Sequence, residues 1–272
     1  MSTKNSCFVS ASVSSSPLSL AQKTMRLLSW IDPAKLNSKG LSCNPNAIEY
    51  LEAHPEMIDW KYNIWGNPNA MHLLESRPKN KRVLYCLSQN PSAVYWFGKN
   101  PTKLDQEGWY RNPAAWYKTP HFPRDLGFLA EIAAIPEAIV VLRANKLRLV
   151  FCPSLFSNPA AIDLIEERIK DENRVRELEW LYLLKNPAAI HIIEERWDQL
   201  SRLKECWTML SQNPAAIHIL RANQDKISWP HLASNAAIFE PDPPVFKQEL
   251  IENVFHPTRV LNMGGPEWLD VV

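Results

Sequence analysis

The residues of this chain that could bind a metal or act as nucleophiles are seven histidines and five cysteines. The cysteines are far apart and form no Cys-x-x-Cys pair, which predicts unpaired thiols in a reducing compartment rather than a zinc site. No phosphate-binding Gly-rich loop, His-Glu-x-x-His or Gly-x-Ser-x-Gly motif occurs. We therefore predict a non-enzymatic protein with no catalytic residue, no metal ligand and no cofactor. The cysteines are Cys7, Cys43, Cys86, Cys152 and Cys206.

Three of the histidines, His72, His191 and His218, occupy the same position of a motif that recurs along the chain. His191 and His218 belong to consecutive copies, and neighbouring copies that pack as helices would hold them roughly 10 Å apart. That separation is too large for a shared metal unless the side chains lean together. Because the same position also holds Glu49 and Asp163, we interpret it as a flanking, half-exposed position.

Aromatic side chains are concentrated between residues 60 and 117. Exposed aromatic side chains are common anchors of protein interfaces, so this region is the predicted partner-binding surface. The alternative is that these larger residues fill gaps between structural units. The predicted partner-binding residues are Trp65, Tyr95, Trp96, Trp109, Tyr110, Trp116 and Tyr117.

A small basic cluster lies in the same region and consists of Arg77, Lys79, Lys81 and Arg82. We interpret it as a solvated loop, with a nucleic-acid contact as the alternative. The chain as a whole has 30 basic and 29 acidic side chains. This balance gives no general reason to expect a nucleic-acid partner.

The motif that positions these residues has Asn-Pro at its centre, and Leu-Ser-Gln-Asn-Pro-Ala-Ala-Ile at 210–217 is a clear example. In eight copies Pro follows the anchor residue and Ala stands three residues after it, and a ninth, degenerate copy lacks the Pro. Successive anchors are 22 to 28 residues apart. The anchors are Asn44, Asn67, Asn90, Asn112, Ile135, Asn158, Asn186, Asn213 and Asn235.

Each copy predicts a short helix that begins at the Asn. Asn is a preferred N-cap, and Pro fits the first helical position because its missing N–H would be unpaired there anyway. Apolar residues three, four and seven positions after the anchor lie on one helical face. In some copies a second Pro, such as Pro55 or Pro101, would end the helix. A second short helix then leads to the next Asn-Pro.

Helices of about ten residues are marginal alone, so each unit must bury its apolar face on its neighbours. The sequence predicts an all-α fold, an α-solenoid of about eight to nine short two-helix repeats with a period of about 23 residues and helical caps. With roughly 8–10 Å between stacked helices, the array would form a rod or arc about 70–90 Å long. Longer first helices are expected in the copies at Asn158 and Asn186, which carry insertions and charged runs.

We divide the chain into a disordered Ser-rich tail (1–17), an N-terminal cap and half-repeat (18–43), the repeat array (44–240) and a C-terminal helical cap (241–272). The N-terminal cap is expected to contain a helix from Leu18 to Trp30. The tail has no acidic residue, so a mitochondrial transit peptide is the alternative. No apolar run reaches the roughly 18–20 residues of a membrane span, and no membrane partner is predicted.

The pattern Leu-Ser-x-Asn-Pro-x-Ala-Ile-x-x-Leu, followed by Pro-x-x-Ile-Asp-Trp, resembles the Asn-Pro-rich repeats of an uncharacterised family of proteins encoded by giant nucleocytoplasmic DNA viruses. The resemblance covers residues 33–240, and Phe-His-Pro-Thr-Arg at 255–259 is similar to the ends of some of these proteins. It is interrupted at Ile135, at the two insertions and at Asn235. The resemblance implies a viral, non-secreted repeat protein and brings no catalytic residue with it.

Together these patterns predict a repeat scaffold that binds another protein, viral or host, in the virion or the host cytoplasm. Two alternatives from other classes stay open. An enzyme with its site in a groove of the stack would have inward polar residues that break the motif, and perturbed carboxylates or histidines. A nucleic-acid-binding protein would carry a continuous basic stripe. No small-molecule substrate is evident.

Overall fold

The computed structural model describes residues 25–115, 129–130, 132–145, 152–171 and 175–242. Most of them belong to one compact unit, Met25–Glu240. This described part is mostly helical and contains one two-stranded sheet. None of its helices is long and apolar enough to cross a lipid bilayer. The predicted tail (1–17) and nearly all of the predicted C-terminal cap (241–272) lie outside the described residues.

Each anchor is followed by a 3-10 turn. In seven described copies an α-helix comes directly after this turn, whereas the turn at Ala236 leads into a strand. The anchor Asn has an extended backbone, and its Oδ1 accepts a hydrogen bond of 2.9–3.0 Å from the N–H two residues later. Ile135 makes no such bond and is still followed by a turn, so Pro alone can begin one. The turns are Pro45–Ala47, Pro68–Ala70, Pro91–Ala93, Pro113–Ala115, Pro136–Ala138, Pro159–Ala161, Pro187–Ala189, Pro214–Ala216 and Ala236–Ile238.

The α-helix that follows the turn is short. The helix at Ile162 has eight residues and is longer than the others, as predicted for that insertion. The same prediction is wrong for the copy at Asn186, where Arg196 leaves the helical conformation and the extra residues form a separate helix, Trp197–Leu200. These helices are Ile48–Ala53, Met71–Leu74, Val94–Lys99, Ile139–Ala144, Ile162–Ile169, Ile190–Glu195 and Ile217–Ala222.

A second element precedes the next anchor. In most described copies it is an α-helix: Ser38–Cys43, Lys81–Ser88, Gln106–Tyr110, Glu177–Leu183, Cys206–Leu210 and Trp229–Leu232. In two copies it is a 3-10 helix, Asn63–Gly66 or Pro153–Ser157. Pro55 and Pro101 do end the preceding helix, but each also begins a further 3-10 turn. The remaining 3-10 turns are Pro33–Lys35, Pro55–Met57, Pro101–Lys103 and Gln224–Lys226.

The anchor side chains form a hydrogen-bonded chain from unit to unit, which we call the Asn ladder. Each anchor Asn donates through Nδ2 to two backbone carbonyls of the preceding unit, that of its anchor and that of the residue two positions earlier, at 2.7–3.2 Å. Ile135 has no such donor, so these bonds are absent between its unit and the unit of Asn112. Asn213, for example, donates to the carbonyls of Leu184 and Asn186. The anchor Asn side chains are essentially fully buried. The Asn residues therefore cap one turn and join two units at the same time.

The Asn ladder closes on itself within the unit Met25–Glu240. Asn44 of the first copy donates to the carbonyls of Ala233 and Asn235 of the last copy, at 3.1 and 2.8 Å. Helix Ser38–Cys43 packs on helix Trp229–Leu232, and the turn at Pro45 contacts the turn at Ala236. The expectation of a rod or arc with separate ends is therefore wrong for this unit, because its first and last copies are neighbours.

The small sheet lies at the same junction. Strand β1 (Met25–Leu27) pairs with strand β2 (Phe239–Pro241), and Arg26 bonds to Glu240 at 2.7 Å. The predicted helix from Leu18 to Trp30 is thus wrong over residues 25–30, because the backbone of the last copy provides hydrogen-bond partners for a strand. Residues 18–24 lie outside the described part of the chain.

Candidate partner-binding surface

The charges of this chain are unevenly distributed. Residues 76–104 contain six Lys or Arg side chains and no Asp or Glu, although the whole chain has 30 basic and 29 acidic side chains. The rest of the chain is therefore acidic on balance. A local excess of one charge attracts ligands of the opposite charge.

Five of the six cations of this region, together with Lys61, lie over the aromatic rings that the sequence singled out or over neighbouring rings. Contacts of this kind are attractive within about 6 Å of a ring centroid. We call these residues together the cation–aromatic surface. The pairs are Arg77 and Trp60 at 3.3 Å, Arg82 and Tyr62 at 5.1 Å, Lys61 and Tyr62 at 5.2 Å, Lys79 with Trp96 at 4.9 Å and with Trp65 at 5.7 Å, Lys99 and Tyr95 at 4.3 Å, and Lys103 and Trp96 at 5.7 Å.

A cleft of about 410 Å³ opens in this surface and is lined by Trp60, Lys61, Tyr62, Trp65, Arg77 and Arg82 among others. No Asp or Glu lines it. A second cleft of about 500 Å³ adjoins it and shares Trp60 and Arg77. Within the described residues, none of the cleft's three cations forms an ion pair with a carboxylate.

The first wall of the cleft, residues 60–62, is held by two polar side chains. Ser42 Oγ accepts a hydrogen bond from the backbone N–H of Asp59 at 2.8 Å. The Asp59 carboxylate accepts bonds from the backbone N–H of Lys61 and from the Asn63 side chain. The same bond recurs twice: the backbone N–H of Asp105 donates to Ser88 Oγ, and that of Ser228 donates to Ser211 Oγ. It is therefore not specific to the cleft.

The second wall is held by Lys79 and Asn80. The Lys79 ammonium donates to the carbonyls of Leu74, Glu75 and Arg77 at 2.8–2.9 Å, which caps the carboxyl end of helix Met71–Leu74. Burial and the nearby charge of Lys103 lower the pKa of Lys79. Asn80 Oδ1 caps helix Lys81–Ser88. Of the cluster's four cations, Lys79 is therefore a structural cap, whereas Arg77 and Arg82 line the cleft.

The predicted partner-binding aromatics differ in exposure. Tyr95 is 72% exposed, and Trp65 is only 3% exposed. Trp96, Trp109 and Tyr110 are half-buried and pack against the core. Trp116 and Tyr117 lie outside the described residues.

Trp65 is buried because it stands two residues before an anchor, a position that faces the core. Phe156 and Leu184 occupy the same position and are also buried. The Trp65 indole N–H donates to the carbonyl of Trp60 at 2.9 Å. Trp65 therefore supports the floor of the cleft and presents little surface to a partner, contrary to the prediction for this residue.

The aromatic residues and the basic cluster, which the sequence presents as two separate features, lie together in the structure. Trp60 and Tyr62 were not among the predicted site residues, yet Arg77 lies over the Trp60 ring and Arg82 over the Tyr62 ring. The absence of acidic residues between 76 and 104 is the sequence signal that marks this region.

The three histidines at the shared repeat position each contact a glutamate of the preceding unit. The Nε2–Oε1 distances are 2.7 Å for His72 and Glu52, 3.3 Å for His191 and Glu166, and 2.9 Å for His218 and Glu194. Arg143 and Asp163 form the same contact with reversed charges at 3.0 Å. Exposed pairs of this kind contribute little stability. In the described part of the chain, no group of three or more His, Cys, Asp or Glu is placed to hold a metal.

The described cysteines, Cys43, Cys86, Cys152 and Cys206, have free thiols. Burial raises the pKa of Cys206 to about 11. Because the thiolate is the reactive form, the Cys206 thiol is a poor nucleophile at neutral pH.

No model of a protein family, no curated protein and no solved structure matches this chain. Its function must therefore be inferred from its own residues.

Proposed function

We propose that this chain is a non-enzymatic scaffold, an α-solenoid of short helical repeats closed on itself, which binds another protein through the cation–aromatic surface. The observation that carries the proposal is that surface. Aromatic rings and Arg are the residue types enriched at the centres of protein interfaces. Here both lie on turns that side-chain hydrogen bonds hold in place. Side chains on a backbone that is already held in place lose less conformational entropy when a partner binds.

We also propose a viral source, with the protein in the virion or the host cytoplasm. The only support is the likeness of the Asn-Pro motif to the repeats of giant-virus proteins. Mass spectrometry of purified virus particles tests the virion location, and absence of the chain from them contradicts it.

Nucleic-acid binding is the second candidate function. The feature that favours it is the interleaving of cations with aromatic rings, which also occurs in proteins that bind single strands. Binding would weaken steeply with salt. Failure to bind any DNA or RNA at low salt removes this candidate.

The protein-binding proposal is tested by affinity capture of the tagged chain from expressing or infected cells. Tyr95→Ala removes the most exposed ring of the surface, and Val140→Ala removes a side chain of similar exposure, 76% against 72%, that does not belong to it. We expect the wild type and Val140→Ala to capture the same partner in equal amounts, and Tyr95→Ala to capture much less. A partner held equally by both variants, or no partner at all, contradicts the proposal.

A further inference from the structure

We infer that the cleft between residues 60–62 and 77–82 binds an acidic, extended segment of a partner protein, with carboxylates held by Arg77 and Arg82. This inference rests on the proposed function and adds the chemistry of the partner. The cleft is lined by three cations and by no carboxylate.

The cleft holds cations without an acidic partner. Among the exposed arginines of the described part, Arg26 pairs with Glu240 and Arg143 with Asp163. Arg202 and Arg221 form no ion pair with a described carboxylate, but they do not line this cleft. Arg77 and Arg82 are also exposed, but their contacts within the described residues are with aromatic rings and, for Arg82, the Tyr62 hydroxyl at 2.7 Å. They therefore remain available to an anion from another molecule.

The guanidinium group of Arg77 is stacked on an aromatic ring. Arg77 Cζ lies 3.3 Å from the centroid of the Trp60 ring, so the guanidinium lies against the ring face. A planar guanidinium in this position keeps the N–H donors at its edge free, and these match the two oxygens of a carboxylate. The ring also holds the Arg side chain in place before binding, which reduces the entropy cost of the contact.

The aromatic rings of the cleft are covered or buried, which favours a protein partner over a nucleic acid. Bases bind single-strand-binding proteins by stacking on open aromatic faces. In this cleft Arg77 covers a face of Trp60, Tyr62 has cations over its ring, and Trp65 is buried. What the cleft presents is hydrogen-bond donors and positive charge, which are the features that recognise acidic motifs.

The test uses the full chain and a fluorescent peptide of about ten glutamates, at about 50 mM NaCl to limit screening. The variant Arg77→Ala/Arg82→Ala removes two cations from the cleft. Its matched control, Arg202→Ala/Lys204→Ala, removes two exposed cations that do not line the cleft. We expect the cleft variant to bind the peptide at least about tenfold more weakly, and the control to stay within about twofold of the wild type.

Arg77→Lys/Arg82→Lys keeps the charge and loses the planar fork, and it also covers the case in which the alanine variant does not fold. We expect affinity for the glutamate peptide to fall at least about threefold. Affinity equal to that of the wild type would show that the positive charge of the cleft alone determines peptide binding. It would overturn the role of the guanidinium groups.

The remaining outcomes separate this inference from the proposed function. No binding of the peptide to the wild type, or equal weakening by both alanine pairs, overturns the acidic-segment inference. Tighter binding of single-stranded oligothymidylate that is lost in the cleft variant assigns the cleft to nucleic acid instead. If a cellular partner is lost with Tyr95→Ala while the glutamate peptide does not bind, the proposed function stands and the chemistry of the partner is different.

Discussion

An asparagine side chain has a hydrogen-bond donor and an acceptor, and the Asn ladder uses both. Oδ1 caps the turn of its own unit, and Nδ2 donates to two carbonyls of the preceding unit. Capping alone does not require Asn, because Asp and Ser are comparable N-caps. Eight of the nine anchors are Asn and none is Asp or Ser. The side-chain N–H donor explains why the anchors are Asn and not Asp or Ser.

At the residue scale, Asn213→Asp and Asn213→Ala separate the two roles. Asn213→Ala leaves an N–H and two carbonyls with one hydrogen bond fewer each, and we expect it to lower the free energy of unfolding by about 3 kcal/mol. Asn213→Asp keeps the cap but places a carboxylate oxygen against two carbonyls, so we expect at least an equal loss. The measurement is urea unfolding.

The control is Asn223→Ala, which removes one half-buried bond to the carbonyl of Ile219 and should cost about 1 kcal/mol or less. If Asn213→Asp is as stable as the wild type, the donor bonds of the Asn ladder do not contribute.

At the scale of single elements, the last carbonyls of a helix have no N–H partner within the helix and need hydrogen-bond donors from outside it. Helix Met71–Leu74 has only four residues. The Lys79 ammonium donates to three carbonyls at and after its carboxyl end. The same contact fixes the backbone that carries Arg77. Lys79 therefore both stabilises the end of helix Met71–Leu74 and fixes the position of Arg77 in the cleft.

We predict that Lys79→Met destabilises the protein by about 1–2 kcal/mol, because it removes the charged donor while keeping a similar apolar stem. Amide hydrogen exchange should accelerate over residues 75–80. The neighbour Lys81 is exposed at the first position of helix Lys81–Ser88, where a positive charge is unfavourable. Lys81→Met should therefore be neutral or slightly stabilising, and equal effects of the two changes would contradict the capping role.

At the scale of the whole unit Met25–Glu240, the closing junction is built like an internal one. Gly40 and Gly108 both stand four residues before an anchor. A Cβ at Gly40 would lie 2.6 Å from the Ala233 side chain of the last copy, and one at Gly108 would lie 2.5 Å from the Tyr85 carbonyl of the third copy. Both glycines thus permit a close approach of two helical segments.

We predict that Gly40→Ala and Gly108→Ala each lower the free energy of unfolding by about 1–3 kcal/mol, because the added methyl group forces the backbones apart. Gly98 lies in helix Val94–Lys99 with nothing near its Cβ position, so Gly98→Ala should stabilise by up to about 1 kcal/mol through helix propensity alone. If the first and last copies are separate in solution, Gly40→Ala will cost clearly less than Gly108→Ala, because the added Cβ then meets only the oxygen of its own N-cap, Asn37, at 2.9 Å. Denaturant unfolding of the three variants decides between these outcomes.

Much of the local structure could be predicted from the sequence, because its causes are local. Asn-Pro begins seven of the nine turns, and Pro55 and Pro101 end helices. Where burial is described, the apolar residues three and seven positions after the anchor are buried, as helical periodicity predicts. The candidate site was predicted only in part. Tyr95 and Trp96 lie on the cation–aromatic surface, but Trp65 is buried and Trp60 and Tyr62 were missed.

The sequence by itself determined that short helical units repeat along the chain, since capping, proline geometry and apolar spacing act within a few residues. Only the tertiary structure decided that the last unit returns to the first, that residues 25–27 form a strand there, and that Arg77 lies on Trp60. These contacts join residues of different units, such as Asn44 with Asn235 and Trp60 with Arg77, and they form only when the units pack together. No single copy of the motif specifies which residues of another unit it will contact.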